Sequence, residues 1–194
     1  MIRRHQSRTI DLTPVKDRII AVLSDTHGRP HPSLFPTLEK FHPSLILHAG
    51  DIGDLDLITE LEAVAPTVYV RGNTDSAGPK WPDSVSLCIK LGAARQIDLL
   101  LVHFAVVRLR LNGEVINLLR QNPAQIVVYG HSHIPFLGKQ QSAVLFNPGS
   151  AGPARMGLPI TMGLIEISSQ VRFKHLDLRT GEQWMPGWGQ ESRE

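Results

Sequence analysis

Aspartate, histidine and asparagine side chains recur in this chain directly after short apolar runs. The polar clusters are Asp25-x-His27, Gly50-Asp51, Gly72-Asn73, His103 and Gly130-His131-x-His133. Carboxylate, imidazole and amide oxygen donors together suit divalent Mn, Fe, Co, Ni or Zn, whereas an all-oxygen set suits Mg or Ca. The residue types therefore indicate a divalent metal site assembled from five segments.

This set of donors is large enough for a pair of metals. Two ions about 3.5 to 4 Å apart need a bridging anionic ligand, and they activate a water molecule for attack at neutral pH. Asp51 is the predicted bridge, because its carboxylate has two oxygens and its neighbours are small. Gly50 and Gly53 allow the backbone to approach the site closely. The pattern is typical of a two-metal hydrolase.

Buried strands must position these clusters. The apolar runs that precede them span residues 19–23, 45–47, 68–70, 99–102 and 126–128, and each is short and rich in β-branched residues or leucine. Ligands of open α/β sheets bind at the carboxyl ends of the strands. We therefore expect all five clusters to meet at one edge.

The remaining periodicity predicts a layered α/β domain. Strands alternate with helices at 32–41 and 55–64 in the first half, which indicates βαβ units and parallel pairing. The second half has a helix at 114–120 and is richer in strands, at 85–91, 97–102, 126–129, 143–146, 162–167 and 171–178. This count fits a second, mixed sheet packed against the first, with helices outside.

The ordered set of clusters resembles the calcineurin-like metallophosphoesterase superfamily, and more narrowly its small prokaryotic phosphodiesterase branch. The likeness runs from about Ile19 to Arg155. It implies a four-layer α/β/β/α sandwich of two mixed β-sheets flanked by helices. It also implies two metal-ligand sets that share one residue. These sets are Asp25, His27, Asp51 and His133 for one metal, and Asp51, Asn73, His103 and His131 for the other.

The resemblance further implies hydrolysis of a phosphate ester, with diesters favoured over monoesters, by in-line attack of a hydroxide bridging two divalent metals. Manganese is the expected metal, with Fe, Ni, Co or Zn as alternatives. Asn73 and Arg155 are the expected contacts to the phosphate, since a guanidinium offers paired donors to phosphate oxygens. A second interpretation stays open, because a relative of this fold serves as a non-catalytic scaffold subunit in membrane-coat assembly.

Two residues depart from the family pattern. Thr74 follows the Gly-Asn pair where many members carry a histidine that helps the leaving group depart, so substrates with good leaving groups are favoured. Phe104 follows His103 where the branch usually has glycine. A ring at this position should reshape the rim of the second metal and alter the substrate preference.

Composition sets the expected domain organisation and partners. With 194 residues, 42% of them hydrophobic, we predict one metallophosphoesterase domain at 19–179, an N-terminal extension at 1–18 and a C-terminal tail at 180–194. A net charge of +2 argues against a membrane surface or a nucleic-acid groove, although nucleic acid stays open as a substrate. One cysteine and no signal or spanning segment favour the cytoplasm. The expected partner is a small phosphate ester, and a homo-oligomer stays open.

Two further histidines are assigned structural roles. His48 precedes Asp51 within a strand, and is predicted to be a hydrogen-bonded core or supporting imidazole, not a ligand. His175 has no motif context and is predicted at the surface.

Overall fold

The computed structural model describes residues 2–16, 18–76, 81–155 and 157–185. The strands are β1 His5–Asp11, β2 Arg18–Leu23, β3 Leu45–His48, β4 Thr67–Tyr69, β5 Ser84–Lys90, β6 Gln96–Val102, β7 Val106–Val107, β8 Arg110–Leu111, β9 Ile126–Val128, β10 Phe136–Gln140, β11 Ala143–Asn147, β12 Thr161–Ile167, β13 Val171–Asp177 and β14 Gln183–Trp184. The helices are α1 Leu34–Phe41, α2 Leu55–Val64 and α3 Gly113–Gln121.

The strands form two six-stranded mixed sheets. Sheet A has the order β1-β5-β6-β9-β11-β10, and sheet B has the order β14-β13-β12-β2-β3-β4. The pairs β2–β3 and β3–β4 are parallel, as the βαβ pattern predicts, and so is β6–β9. A short hairpin, β7–β8, lies outside both sheets.

Alternating side chains on the strands build the layers. In β2, Ile20 and Val22 lie in the cluster that also holds side chains of sheet A, whereas Ala21 and Leu23 lie in the cluster with α1 and α2. A third cluster packs Val115 of α3 against the other face of sheet A. The predicted α/β/β/α sandwich is therefore confirmed, with α1 and α2 on sheet B and α3 on sheet A.

Local sequence explains where two of the helices begin. The Asp54 carboxylate accepts a hydrogen bond from the Asp56 backbone N–H at the start of α2. The Asn112 side chain accepts one from the Val115 N–H at the start of α3, at 2.9 Å. Both caps lie close to loops that carry polar clusters. Each cap therefore fixes the residue at which its loop ends and the helix begins.

The N-terminal segment differs from the sequence expectation. Residues His5–Asp11 lie within the predicted extension at 1–18, but they form the edge strand of sheet A, in parallel register with β5 from His5 opposite Ser84 to Asp11 opposite Lys90. Leu12 follows with its side chain in the core between the sheets. Most side chains of β1 are polar and exposed, so the strand is held mainly by backbone pairing. The sequence therefore has no alternating apolar pattern from which this strand could be predicted.

The C-terminal segment also contributes to a sheet. Trp184 lies in β14, opposite His175 of β13, with the two ring centroids 6.0 Å apart. His175 is buried and contacts the Asn147 carbonyl oxygen through Nε2 at 2.7 Å, so its predicted surface position is wrong. Residues 186–194 of the predicted tail lie outside the described part of the chain. Among the described residues, no helix combines the length and apolar character needed to span a bilayer.

Candidate metal centre

The five polar clusters meet at one edge of the two sheets. Each follows the carboxyl end of a strand: Asp25 follows β2, Asp51 follows β3, Asn73 follows β4, His103 follows β6 and His131 follows β9. Parallel pairing within β2–β3–β4 and between β6 and β9 sends these ends in the same direction. The expected convergence of all seven candidate ligands is therefore observed.

The first group of donor atoms surrounds His133. Its Nε2 lies 3.2 Å from Asp25 Oδ1 and 3.4 Å from His27 Nε2, and the two imidazole rings are stacked. His27 Nε2 lies 3.9 Å from Asp51 Oδ2. Ligand atoms about 2 Å from one ion lie at such distances from one another. Asp25, His27, His133 and Asp51 could therefore hold one cation.

The second group surrounds Asn73. Its Oδ1 lies 3.0 Å from His103 Nε2 and 2.8 Å from His131 Nδ1. His103 Nε2 lies 3.5 Å from Asp51 Oδ2. Two imidazole nitrogens, an amide oxygen and a carboxylate oxygen thus face a second common point. The arrangement could hold a second cation.

Asp51 connects the two groups through one oxygen. Its Oδ2 faces both His27 and His103, while its Oδ1 accepts a hydrogen bond from the Thr74 backbone N–H at 2.9 Å. The carboxylate is therefore held in a fixed orientation, with one oxygen directed between the two donor groups.

Asp25 shows that the site fits a cation. Its side chain is fully buried, and Oδ2 accepts the backbone N–H of His131 at 3.0 Å. Within the described chain, Oδ1 is buried without a hydrogen-bond partner. A buried carboxylate oxygen in this state is unfavourable unless a positive charge compensates it. A divalent ion between Asp25 and His133 would satisfy this oxygen.

The tautomer of His103 suits a ligand. Its Nδ1 lies 2.7 Å from the Ala49 carbonyl oxygen, which can only accept, so Nδ1 carries the proton. Nε2 is then left with its lone pair directed toward Asn73 and Asp51. A backbone carbonyl on the far ring nitrogen is the usual way in which a protein orients a metal-binding histidine.

The backbone at the candidate ligands is strained. Asp25, His27, Asp51, His131 and His133 all have left-handed conformations, with φ between 49° and 68°. Such conformations cost non-glycine residues about 1 kcal/mol or more each and persist where the surroundings fix them. Here the Asp25 N–H donates to Gly50 O and the His27 N–H donates to Asp51 O, both at 2.9 Å. The strand ends thus lock one another into this conformation.

Glycines permit the close approach of these loops. A Cβ on Gly50 would lie 2.8 Å from both the Gly72 nitrogen and His103 Nδ1, and one on Gly53 would lie 2.3 Å from the Gly28 nitrogen. These contacts confirm the predicted role of Gly50 and Gly53. Gly72 is tighter still, because a Cβ there would lie 2.0 Å from Asp51 Oδ1.

Two residues that are not candidate ligands support the ligand loops. The Asp75 carboxylate accepts the backbone N–H groups of Gly53 and Gly72, each at 2.8 Å, and so ties two ligand loops together. His48 is buried and contacts Thr26 Oγ1 through Nε2 at 3.0 Å, as predicted for a supporting imidazole. Burial lowers the pKa of His48 to about 4, so this ring stays neutral at neutral pH.

Charge pairing sets the protonation of the two central groups. Burial by itself raises the pKa of Asp51, but the hydrogen bond and charge of His103, with the Thr74 N–H, hold the pKa well below its ordinary value. Burial by itself lowers the pKa of His103, but the hydrogen bond to Asp51 and the nearby charge of Asp25 raise it above the ordinary value. Without metal, His103 therefore keeps its second ring proton to a higher pH than a free imidazole does, and Asp51 stays ionised to a lower pH than a free carboxyl group.

This pairing predicts how metal affinity depends on pH. A metal must displace the His103 proton, and because the pKa of His103 is raised, that proton competes with the metal at higher pH than it would on a free imidazole. Burial lowers the pKa of His27 and His131, so these rings compete for protons only at lower pH. We expect the dissociation constant for Mn²⁺, measured by calorimetry on metal-stripped protein, to rise steadily as the pH falls from 8 to 6. An affinity independent of pH over this range would contradict the assignment of His103 as a ligand.

The remaining sequence-predicted residues lie at the rim. Arg155 is exposed, and its charge is the smallest of the named causes that lower the pKa of His27, the largest being burial. Thr74 is exposed, with Oγ1 3.4 Å from His27 Nδ1. The Phe104 ring is 44% exposed and packs edge-on against His131, with ring centroids 4.7 Å apart.

Comparison with known proteins points to phosphoesterases. The family model for the calcineurin-like phosphoesterase superfamily domain matches residues 19–170. A probable metallophosphoesterase of Methanothermobacter thermautotrophicus is 34% identical over 150 residues, which cover 75% of this chain and 84% of that protein.

Two solved structures share the fold at lower identity. One is a conserved protein of Streptococcus pneumoniae described as a predicted phosphoesterase, with a TM-score of 0.65, 23% identity, and coverage of 89% of this chain and 95% of that one. The other is vacuolar protein sorting 29 of Cryptosporidium parvum, with a TM-score of 0.69, 19% identity, and coverage of 87% and 95%.

Proposed function

The chain belongs to the calcineurin-like phosphoesterase superfamily, a family of metal-dependent phosphoesterases, and we propose that it is a phosphodiesterase with a two-metal centre. The observation that carries this proposal is Asp51 Oδ2, which lies 3.9 Å from His27 Nε2 and 3.5 Å from His103 Nε2. One anionic oxygen shared between two groups of donor atoms is what a pair of close cations requires.

The residues divide into two ligand sets and a rim. One metal is assigned to Asp25, His27, Asp51 and His133, and the other to Asp51, Asn73, His103 and His131. When bound, two divalent ions would supply positive charge against the phosphate and would make hydroxide available at neutral pH for in-line attack. Manganese is the expected metal, since mixed nitrogen and oxygen donors without thiolate suit it, and Fe, Co, Ni and Zn share this preference.

The protein itself binds and orients the phosphate. Asn73 presents its amide between His103 and His131, so its NH₂ group is placed to donate to a phosphate oxygen while Oδ1 faces the metal. Arg155 is exposed, its charge acts on His27, and its guanidinium would offer paired donors to the same phosphate. Thr74 contacts His27 through its side chain. Because threonine has no imidazole to help the leaving oxygen depart, the enzyme should favour esters with good leaving groups.

The shape of the rim supports diesters over monoesters. Two recesses adjoin His131, and Phe104 and His131 line both of them. A phosphate held at the metal centre can therefore place one ester group in each recess, whereas a monoester fills one at most.

Hydrolysis of paired chromogenic substrates tests the proposal. We expect metal-stripped protein to be inactive, added Mn²⁺ to restore cleavage of bis(p-nitrophenyl) phosphate, and p-nitrophenyl phosphate to be cleaved more slowly. Elemental analysis of the purified protein should find divalent metal. Faster cleavage of the monoester would overturn the assignment to diesters, and no cleavage together with no bound metal would overturn the assignment as an enzyme.

A non-catalytic scaffold is the second candidate function. The observation that favours it is exposed apolar surface beside the site, including Phe104 and Leu109, which is 85% exposed. A scaffold would bind another protein through this surface and would not retain metal. Its location, like that of the enzyme, is proposed to be the cytoplasm, which suits a chain with a single cysteine.

A further inference from the structure

An apolar recess adjoins the candidate ligand His131. Six apolar side chains line it: Phe104, Val106, Leu109, Ile134, Phe136 and Leu145. They come from the loop after β6, the β7–β8 hairpin, the loop before β10, and strands β10 and β11. The recess encloses about 150 Å³, which is the size of cavity that accepts a benzene ring.

A recess of different chemistry meets it at the metal centre. This second recess encloses about 230 Å³, and its lining includes the charged side chains Arg71, Asp83 and Glu114 together with the apolar side chains Ile2 and Val102. Arg71 donates to Asp83 Oδ1 through Nε at 3.0 Å and Nη2 at 2.8 Å. The recess on one side of His131 is therefore apolar, and the recess on the other side, called the charged recess below, also carries charged groups.

Phe104 separates the two recesses. Its ring packs against His131, whose Nδ1 faces Asn73 at 2.8 Å. A group attached to a phosphate at the metal centre therefore contacts this ring as soon as it enters the apolar recess. Leu109 and Ile134, which are 85% and 37% exposed, continue the same apolar surface outward.

We propose that this apolar recess binds an apolar ester group of the substrate, of about the size of a phenyl ring. The proposal rests on the proposed function, because it takes the phosphate to be held at the metal centre. It names the substrate class more closely: a phosphoester with one apolar group beside Phe104 and Ile134. The charged recess is left for the second, polar ester group.

Binding of two phosphonates to the Mn²⁺-loaded protein tests the proposal. Phenylphosphonate and methylphosphonate share the phosphate-like head, resist hydrolysis and carry one substituent each. We expect calorimetry, at a pH where both are dianions, to give a dissociation constant about tenfold lower for phenylphosphonate, as expected for roughly 50 to 60 Å² of apolar surface removed from water. In Ile134→Asn the ratio should fall to about threefold or less.

Leu137→Asn is the matched control. Leu137 lies in β10, is also 37% exposed, and lies outside the recess, so this variant should keep the tenfold ratio. Leu109→Asn changes a highly exposed residue of the recess, so it should fold normally and lower the ratio even if Ile134→Asn proves unstable.

The outcomes test the assignment of the recess and the assignment of the metal centre separately. Equal dissociation constants for the two phosphonates, or a ratio unchanged in both recess variants, would overturn the assignment of the recess and leave the proposed function standing. Failure of both phosphonates to bind the Mn²⁺-loaded protein would overturn the proposed function itself, and the recess assignment with it.

Discussion

Asp51→Asn should lower kcat/KM for the chromogenic diester by about 1,000-fold or more. The variant keeps the size of the side chain but replaces Oδ2 or Oδ1 with an NH₂ group, which cannot bridge two cations. Loss of one bridging anionic oxygen removes several kcal/mol of stabilisation from the transition state. Each 1.36 kcal/mol of activation free energy corresponds to about tenfold in rate. Bound metal, measured by elemental analysis, should fall at the same time from two ions per chain to one or fewer.

Asp56→Asn controls for the loss of a negative charge. Asp56 is exposed in the first turn of α2 and is not a candidate ligand, so its variant should keep both metal content and rate. Circular dichroism should be the same for both variants and the wild type. Full metal content with an undiminished rate in Asp51→Asn would refute the bridging role.

Gly72→Ala should lower kcat/KM by about 100-fold although residue 72 is no ligand. The new Cβ would lie 2.0 Å from Asp51 Oδ1 and 2.1 Å from the Asp51 nitrogen. One of these atoms is backbone, so the loop cannot avoid the overlap by a change of rotamer. Either the bridging carboxylate or the loop that carries Asn73 must move by about 1 Å, a displacement that typically costs about 100-fold in rate.

Gly113→Ala is the matched control for this substitution. Gly113 is the first residue of α3, and a Cβ there meets no atom within 4 Å. Its variant should retain the wild-type rate and Mn²⁺ affinity, while Gly72→Ala should bind Mn²⁺ more weakly. Wild-type affinity and rate in Gly72→Ala would mean that the ligand loops are not packed as tightly as the structure shows.

The strands that position the site could be predicted because they are buried on both faces. The runs before Asp25, Asp51 and His103 are continuously apolar, which is the pattern of strands with a core on each side. Glycine next to a polar residue then marked the ends of the runs before Asp51, Asn73 and His131, and polar residues alone marked the ends of the other two. The fold and the set of converging side chains could both be inferred from this pattern.

Other features depend on partners that are distant in sequence. β1 is held by backbone pairing with β5, and His175 is buried by Trp184 and Asn147, and neither arrangement leaves a local pattern. The selection of Oδ2 over Oδ1 in Asp51 depends on the Thr74 N–H and is visible only in three dimensions. The contacts of Asp75 with the Gly53 and Gly72 N–H groups are likewise visible only in three dimensions.

The pairing of β1 with β5 constrains how the chain can fold during synthesis. His5 lies opposite Ser84, so 79 residues must be added after His5 before its partner residue exists. At about 5 to 20 residues per second, the ribosome takes roughly 4 to 16 s to supply them. Through that interval β2, β3 and β4 can already assemble in parallel, whereas β1 must wait unpaired. β1 is thus translated before β2, β3 and β4, but it can join its own sheet only after all three have been made.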